Sequence, residues 1–385
     1  EIVYRRLLYS KCITLNATEA DVFVIPLLFA SKRSDVVHGL CPRVEKSLKT
    51  TLLPRLMHLT DETAPRHVLL HGHPPVTVSV AKVCLGWWLQ PIKKLRKVRR
   101  FGTRDHCSRH TYNMNAVPYP ALVHWSRNFD AVPPWQESRD RPHLMAYVAG
   151  ARYHGHRAHG LRSALHESCD RYGASVCGGV ELSPQEMMNK AISRERVRLI
   201  IDAYREADFC LQPTGDTCER KGILDSLLLG CIPVIFHICQ QDLWPLHWGS
   251  WASSSSVLVN GSAVASGELD IREFLEGIPA QRRDALRASI AANGHRLQYA
   301  LEDPMPGDPF ETDALSIIFQ AVAEGRNPCR DDPMAMTQED LYNMFHMHTT
   351  AASVREHSSQ GSDENRSVAL GRAAVANVME RDTTA

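Results

Sequence analysis

The stretch from Asp208 to Phe236 constrains the fold more than any other part of the chain. Asp208–Pro213 is a short apolar run closed by proline, which reads as a buried strand. Gly215-Asp216-Thr217 supplies a turn, and Cys218–Leu229 carries Ile223, Leu224, Leu227 and Leu228 as one apolar stripe at helical spacing. Gly230 follows as the residue that ends a helix in left-handed backbone, and Ile232–Phe236 is the next strand. Strand, turn, helix and strand within about thirty residues make a βαβ unit, whose two strands lie parallel. The spacing therefore predicts an α/β fold built on a parallel sheet.

Other punctuation extends this grammar. Asp21–Pro26, His67–His71 and His143–Val148 read as strands, the last followed by a turn at Gly150-Ala151-Arg152. Helices are expected over Glu1–Ser10, Val44–Leu59, Asp270–Leu275, Gln281–Leu301 and Thr312–Glu324. Ser183-Pro-Gln-Glu186 has the form of a capping box and predicts a helix running to about Arg205. Asn128–Pro142, with three prolines, suits a linker. The 385 residues, at roughly 150 per domain, make two to three units. We expect a domain over 1–135, a second over 140–330, and a tail over 349–385 without fixed structure except for a loose helix over Val368–Met379.

Composition removes several functions. Lys plus Arg is 44 against 43 for Asp plus Glu, a net charge of +1, which argues against a nucleic-acid binder. No apolar run is long enough to span a membrane. GxSxG, HExxH and GxxxxGK[ST] are all absent. The eleven cysteines include no CxxC pair, though Cys169 and Cys177 are spaced to bridge in an oxidising compartment. N-x-S/T sequons begin at Asn16, Asn260 and Asn365. The basic run Lys93–Arg100 reads as a solvated helix face ahead of a site for a polyanionic partner. His154, His156 and His159 read as a polar loop rather than a metal site. Trp87-Trp88 belongs to the core or to a cleft, and Trp244–Trp251 suits stacking on a sugar and core packing equally.

In open parallel sheets ligands bind beyond the carboxyl ends of the strands, here the loop Pro213–Lys221. Its glycine allows close backbone approach, and the free N–H groups of the following helix attract phosphate. Arg220 and Lys221, placed in the first turn, would neutralise a diphosphate, and Asp225 is spaced to meet a ribose hydroxyl. The alternative is that Arg220 is a surface residue and Asp225 caps or pairs locally.

Gly215-Asp-Thr-Cys-Glu-Arg220-Lys-Gly-Ile-Leu-Asp225-Ser226, followed by Gly230-Cys-Ile-Pro-Val-Ile-Phe236, resembles the exostosin-type glycosyltransferase family (GT47), most of all its plant xyloglucan galactosyltransferase-like branch. The resemblance continues upstream in order. Ala20–Pro26 resembles the family's Ala-Asp-x-Phe-x-Val-Pro strand, and Phe101–His106 its Gly-x-Asp-His segment. Val117-Pro-Tyr and Arg141–Arg152 match its next two segments, so that the likeness covers roughly residues 1 to 300.

What the resemblance implies is a GT-B architecture: two Rossmann-like domains facing across a cleft, the first for a glycan acceptor, the second for a UDP-sugar. It implies an inverting transferase acting on a polysaccharide or glycoprotein glycan, with no metal or other cofactor. It further implies a glycoprotein of the Golgi lumen, type II in the membrane, whose anchor would precede Glu1. Homo- or hetero-oligomers stay open. Carried over by position, Gly150, Arg152, Gly215, Asp216, Arg220, Lys221, Asp225 and Ser226 form the nucleotide-sugar site. Arg220 would stabilise the leaving diphosphate and Asp225 would contact the ribose. Asp105 and His106 mark the region of the general base, ahead of Asp21 and Asp35. Lys221 stands where relatives carry a second Arg, and Glu219 and Gly222 are unusual in the loop. The rival expectation is a non-catalytic glycan-binding or scaffolding protein that keeps the fold.

Overall fold

In the computed structural model, described here for residues 2–25, 50, 53–71, 97–102, 114–127, 132–150, 159–183, 186, 192–215 and 218–328, strands gather into two separate sheets, both parallel throughout. The first contains β1 (Phe23–Ile25), β2 (His67–His71), β3 (Arg99–Gly102) and β4 (Met114–Ala116), in that order. The second contains β5 (His143–Gly150), β6 (Cys177–Leu182), β7 (Ala207–Gln212), β8 (Ile232–Ile235) and β9 (Val257–Leu258), in the order β6-β5-β7-β8-β9. The fold is α/β, as the 208–236 unit predicts, and the change of sheet falls between Ala116 and His143. The helices are α1 (Ile2–Tyr9), α2 (His159–Tyr172), α3 (Arg194–Arg205), α4 (Lys221–Leu228), α5 (Gly261–Ser266), α6 (Ile271–Glu276), α7 (Ala280–Asn293) and α8 (Ala314–Ala323). Among the described residues no helix is long and apolar enough to cross a membrane. The tail from 349 onward lies outside the described residues.

Both faces of the second sheet are covered, so its central strands are apolar without alternation. Every residue of β8 is buried, and all of β7 except Asp208. Asp208 is held instead by Arg283, at 3.2 Å, and by Arg287. Gly230 ends α4 at φ +72°, and the bonds around it complete a Schellman motif. Gly230 N donates to Leu227 O at 3.1 Å and Cys231 N to Ser226 O at 2.9 Å. The indoles of Trp244 and Trp248 are fully buried and Trp251 nearly so, which decides for core packing over sugar stacking. The indole N–H of Trp248 donates to Ser255 Oγ at 2.9 Å, and that of Trp251 to His247 O at 2.7 Å.

Several expectations give way to particular contacts. The end of the basic run is not a solvated helix face: Val98, Arg99 and Arg100 are buried and the arginines enter β3. Long aliphatic stems let arginine line a core while the head finds a polar partner, and the Arg99 guanidinium lies over the Phe101 ring and donates to Arg326 O. Lys93–Arg96 lie outside the described residues, as do Trp87, Trp88, His154 and His156. His159 opens α2 rather than lying in a loop. The Ser183–Glu186 capping bonds form, at 2.7 and 3.2 Å, but the helix ending at Arg205 starts afresh at Arg194 because Ser193 caps it. In the 44–59 stretch, Leu53–Arg55 is a single 3-10 turn around Pro54. The 281–301 helix stops at Asn293 and tightens to 3-10 over Gly294–Leu297. Within the expected linker, Trp135 is buried and packs near Phe310 and Gly294.

The chain ends of the fold are tied together. α8 falls in the expected second domain, yet Ile317, Ile318, Ala321 and Val322 pack with Val68 and Phe101 of the first sheet and Val117 just past β4. Arg6 of α1 is buried; it donates to Asp313 Oδ2 at 2.7 Å, Asp303 Oδ1 at 2.6 Å and Ala300 O at 3.1 Å. Burial pushes the Asp303 carboxyl up, but bonds from Arg6, Ser10 and the Lys11 N–H outweigh it and hold the group below its usual range. Its stabilising effect is therefore full above the ordinary Asp value of about 4 and fades as pH falls through the lower folded value.

Two outcomes follow from these contacts. Arg6→Ala leaves buried Asp313 without its cation, held by Ala300 and Ser316, and is expected to cost about 3 kcal/mol in thermal or urea unfolding, with a weaker loss of stability in acid than the wild type shows. Gly230→Ala places a side chain in left-handed backbone, at about 1–2 kcal/mol, with its Cβ only 2.7 Å from Arg141 Nη2. Its melting temperature should fall with no change in secondary structure by circular dichroism.

Candidate functional site

The order β6-β5-β7 carries a change of direction. After β5 the chain adds β6 on one side, then returns to add β7 on the other. The crossover connections therefore part above β5 and β7, leaving a crevice at their carboxyl ends. Gly150 ends β5 and Gln212 ends β7 at this level. α2 and α4, which follow those strands, bring one guanidinium each. Arg162, in the first turn of α2, donates from Nη2 to Thr214 O at 3.1 Å and from Nε at 3.3 Å. Arg220 donates from Nη1 to Pro213 O at 2.9 Å.

The electrostatics of this pair set it apart. Among the described residues neither guanidinium has a carboxylate partner; both bond only to backbone carbonyls of the 213–220 loop. Burial lowers the pKa of Arg220 below its ordinary value, and the neighbouring charge of Arg162 lowers it further. Tyr147, from β5, is pushed up by burial, and its buried hydroxyl has no hydrogen-bond partner among the described residues. Two cations with a buried phenol hydroxyl nearby have the chemistry to receive an anion.

The acidic residues of the same motif face elsewhere. Asp225 is buried; Lys221 Nζ donates to its Oδ1 at 2.9 Å and Oδ2 at 2.6 Å, and Leu122 N donates to Oδ1 at 2.8 Å. Glu219 accepts from Tyr119 Oη at 2.7 Å. Leu122 and Tyr119 belong to the strap that leaves β4, so both acids hold that strap. The local pairing weighed for Asp225 is the arrangement present. Ser226 is fully buried and donates to Ile223 O at 2.8 Å, so its hydroxyl does not reach the crevice.

α4 starts at Lys221 and not at Cys218: Arg220 is its N-cap, with extended backbone, and Cys218 is bonded to Cys239. Gly222 is unusual in the loop for a packing reason. A Cβ there would lie 2.4 Å from Gln212 Oε1 and 2.9 Å from Tyr204 Oη. Gln212 is itself buried and donates to that Tyr204 hydroxyl at 3.3 Å, and burial pushes the Tyr204 hydroxyl up to about 12. Cys218, His237 and Cys239 bring potential ligand atoms within 4.8 Å of one another, but the two sulfurs are joined in the disulfide.

Of the residues expected at the site, the structure gathers Gly150, Gly215 and Arg220 at the crevice, sets Lys221 against Asp225, and turns Asp225 and Ser226 inward. Arg152, Asp216, Asp105, His106 and Asp35 lie outside the described residues. Asp21 lies just before β1, apart from this crevice. Sequence reasoning missed Arg162 and Tyr147. The available signal for Arg162 was a basic residue in the first turn of a helix after a strand, and α2 itself was not anticipated.

A family model described as the Exostosin GT47 domain matches residues 1–259. The chain is 26% identical over 346 residues to an Arabidopsis thaliana protein named probable xyloglucan galactosyltransferase GT20, covering 85% of this chain and 57% of that one. It is also 26% identical over 306 residues to the Arabidopsis thaliana xyloglucan-specific galacturonosyltransferase 1, covering 75% and 43%. The chain thus spans about half the length of the curated relatives it matches. A solved pneumococcal O-GlcNAc transferase, GtfA in complex with UDP and GlcNAc, superposes at a TM-score of 0.35 with 8% identity over 75% of this chain and 60% of that chain, too loosely to carry an argument.

Asp225→Ala separates a structural role from a ligand contact. Removing it leaves the Leu122 N–H without its acceptor, so a loss of about 1–3 kcal/mol in urea unfolding is expected without any ligand present. An unchanged unfolding midpoint would show that the strap does not depend on this carboxylate.

Proposed function

Because this chain belongs to the exostosin GT47 family, we propose that it is a GT-B glycosyltransferase that holds a UDP-sugar at the β5–β7 crevice and transfers the sugar with inversion to a polysaccharide or glycoprotein glycan. The single observation that carries this reading is the pair Arg162 and Arg220, two guanidiniums at a topological switch point with no carboxylate partner among the described residues. A diphosphate fits that pair in charge and in bidentate geometry.

An inverting transfer needs a base at the acceptor hydroxyl and stabilisation of the charge that develops on the departing diphosphate. The second task falls to Arg162 and Arg220, whose charge does the work a metal ion would otherwise do. Gly150 and Gly215 admit the nucleotide close to the backbone, and Arg152 and Asp216 complete the pocket in this reading. Lys221 is paired with Asp225, which serves as a positioning residue; a ribose contact would have to share oxygens that Lys221 and Leu122 already use. Asp105 and His106 are the proposed base region. Relatives named for xyloglucan galactosyl and galacturonosyl transfer support a plant-type polysaccharide acceptor. Among the described residues the disulfides Cys169–Cys177, Cys210–Cys231 and Cys218–Cys239 support residence in the oxidising secretory pathway, and we place the protein in the Golgi lumen, membrane-anchored in its full length.

The test is UDP. It should raise the melting temperature of the wild type, and Arg220→Ala or Arg162→Ala should weaken its binding roughly ten- to hundredfold. A panel of UDP-sugars with xyloglucan-type acceptors, scored by UDP release with and without a chelator, then identifies the donor. Absence of any UDP effect would overturn the donor site. UDP binding with no turnover of any donor would favour the glycan-binding scaffold instead.

A further inference from the structure

The loop that carries Arg220 is held by an element the reaction itself does not require. Cys218, two residues before Arg220, is buried and bonded to Cys239 in the 3-10 turn Ile238–Gln240 beyond β8. That turn is itself braced. Gln240 Oε1 accepts from Phe236 N at 2.9 Å and His237 N at 3.2 Å, and His237 Nδ1 accepts from Cys239 N at 3.1 Å. Gln240 Nε2 donates to Gln212 O at 2.9 Å, at the point where the loop leaves β7. The turn therefore grips the loop at both ends, through a hydrogen bond at Gln212 and a covalent bond at Cys218.

The charges explain why a grip is needed. The charge acting on Arg220 is Arg162, of like sign, and both guanidiniums bond to the loop's own carbonyls rather than to a carboxylate. Two like charges bonded to one loop repel each other, so the loop depends on other bonds to keep its place. Holding charges in place ahead of the ligand is what makes an anion site strong. Among the described residues the other disulfides do not touch the loop. Cys210–Cys231 links β7 to the residue before β8, and Cys169–Cys177 ties the end of α2 to the start of β6, at the opposite end of the sheet.

We propose that the Cys218–Cys239 bond and Gln240 form a clamp that keeps the Pro213 and Thr214 carbonyls and the Arg220 guanidinium in their anion-binding arrangement, and that cleaving this one disulfide loosens the site. Cleavage by a dithiol transfers two electrons and two protons to the sulfurs, leaving two thiols on the protein and a disulfide on the reductant. Only the ligand rests on the proposed function; the clamp itself does not.

The experiment compares Cys218→Ala/Cys239→Ala with Cys169→Ala/Cys177→Ala and the wild type. Amide hydrogen exchange over 213–221, the UDP dissociation constant and the donor KM against kcat are measured in each. The Cys218/Cys239 variant is expected to exchange loop amides at least about tenfold faster and to bind UDP about tenfold more weakly. Its donor KM should rise by more than kcat falls. The Cys169/Cys177 variant should lose melting temperature but keep wild-type loop exchange and UDP affinity. Wild-type loop exchange in the Cys218/Cys239 variant overturns the clamp, as does unchanged UDP affinity in a protein that binds UDP. If the wild type does not bind UDP, the donor-site reading fails while loop exchange still decides the clamp. Should the alanine pair not fold, Gln240→Met keeps both sulfurs, removes the bond to the Gln212 carbonyl, and must loosen the loop likewise.

Discussion

The second sheet winds in two directions from β5, and the chemistry of the molecule depends on that reversal. Parallel strands need crossover helices, and right-handed crossovers that proceed both ways from one strand part company above it. At the parting, α2 and α4 both begin beyond the carboxyl ends of β5 and β7. Any residue at the start of either helix is thereby aimed at a shared point. Arg162 and Arg220 occupy those positions. Their convergence, from residues far apart in the chain, is a property of strand order before it is a property of side chains.

The motif around Arg220 divides its labour by charge. Its acids, Glu219 and Asp225, reach to Tyr119 and Leu122 in the strap from the first sheet. Arg220 alone turns to the crevice, while Lys221 neutralises Asp225 from the other side. A stretch that reads as a uniform ligand-binding loop is thus half joint and half site. The joint fixes where the strap leaving β4 lies against α4.

The parts legible in the sequence were those governed by local rules. The β7–α4–β8 unit, Gly230 as the left-handed stop and the Ser183–Glu186 capping bonds all depend on residues a few positions apart. What escaped depended on partners that spacing does not reveal. Arg99 and Arg100 carry charge in a run that looks solvated, yet both are buried, the Arg99 guanidinium over the Phe101 ring and against the Arg326 carbonyl. Arg162 is defined by the carbonyl of Thr214, fifty-two positions away. The two disulfides near the site form an intermediate case. Cys210–Cys231 and Cys218–Cys239 each span 21 positions, the length at which one βαβ unit returns the chain to the neighbouring strand. With the unit recognised, that repeated interval is readable as two cross-links between adjacent strands and the loops above them.

The return of α8 to the first sheet bears on what the smallest autonomous piece of this protein is. The family match ends at residue 259, yet the apolar surface of Val68, Phe101 and Val117 is covered by side chains between 317 and 322. The buried charge of Arg6 is answered at 303 and 313. Evolutionary recurrence and physical completeness therefore draw different borders on this chain. A fragment cut at the first border would carry the whole binding motif while exposing an oily face and an orphaned cation at its opposite end, and it would be sticky before it was active.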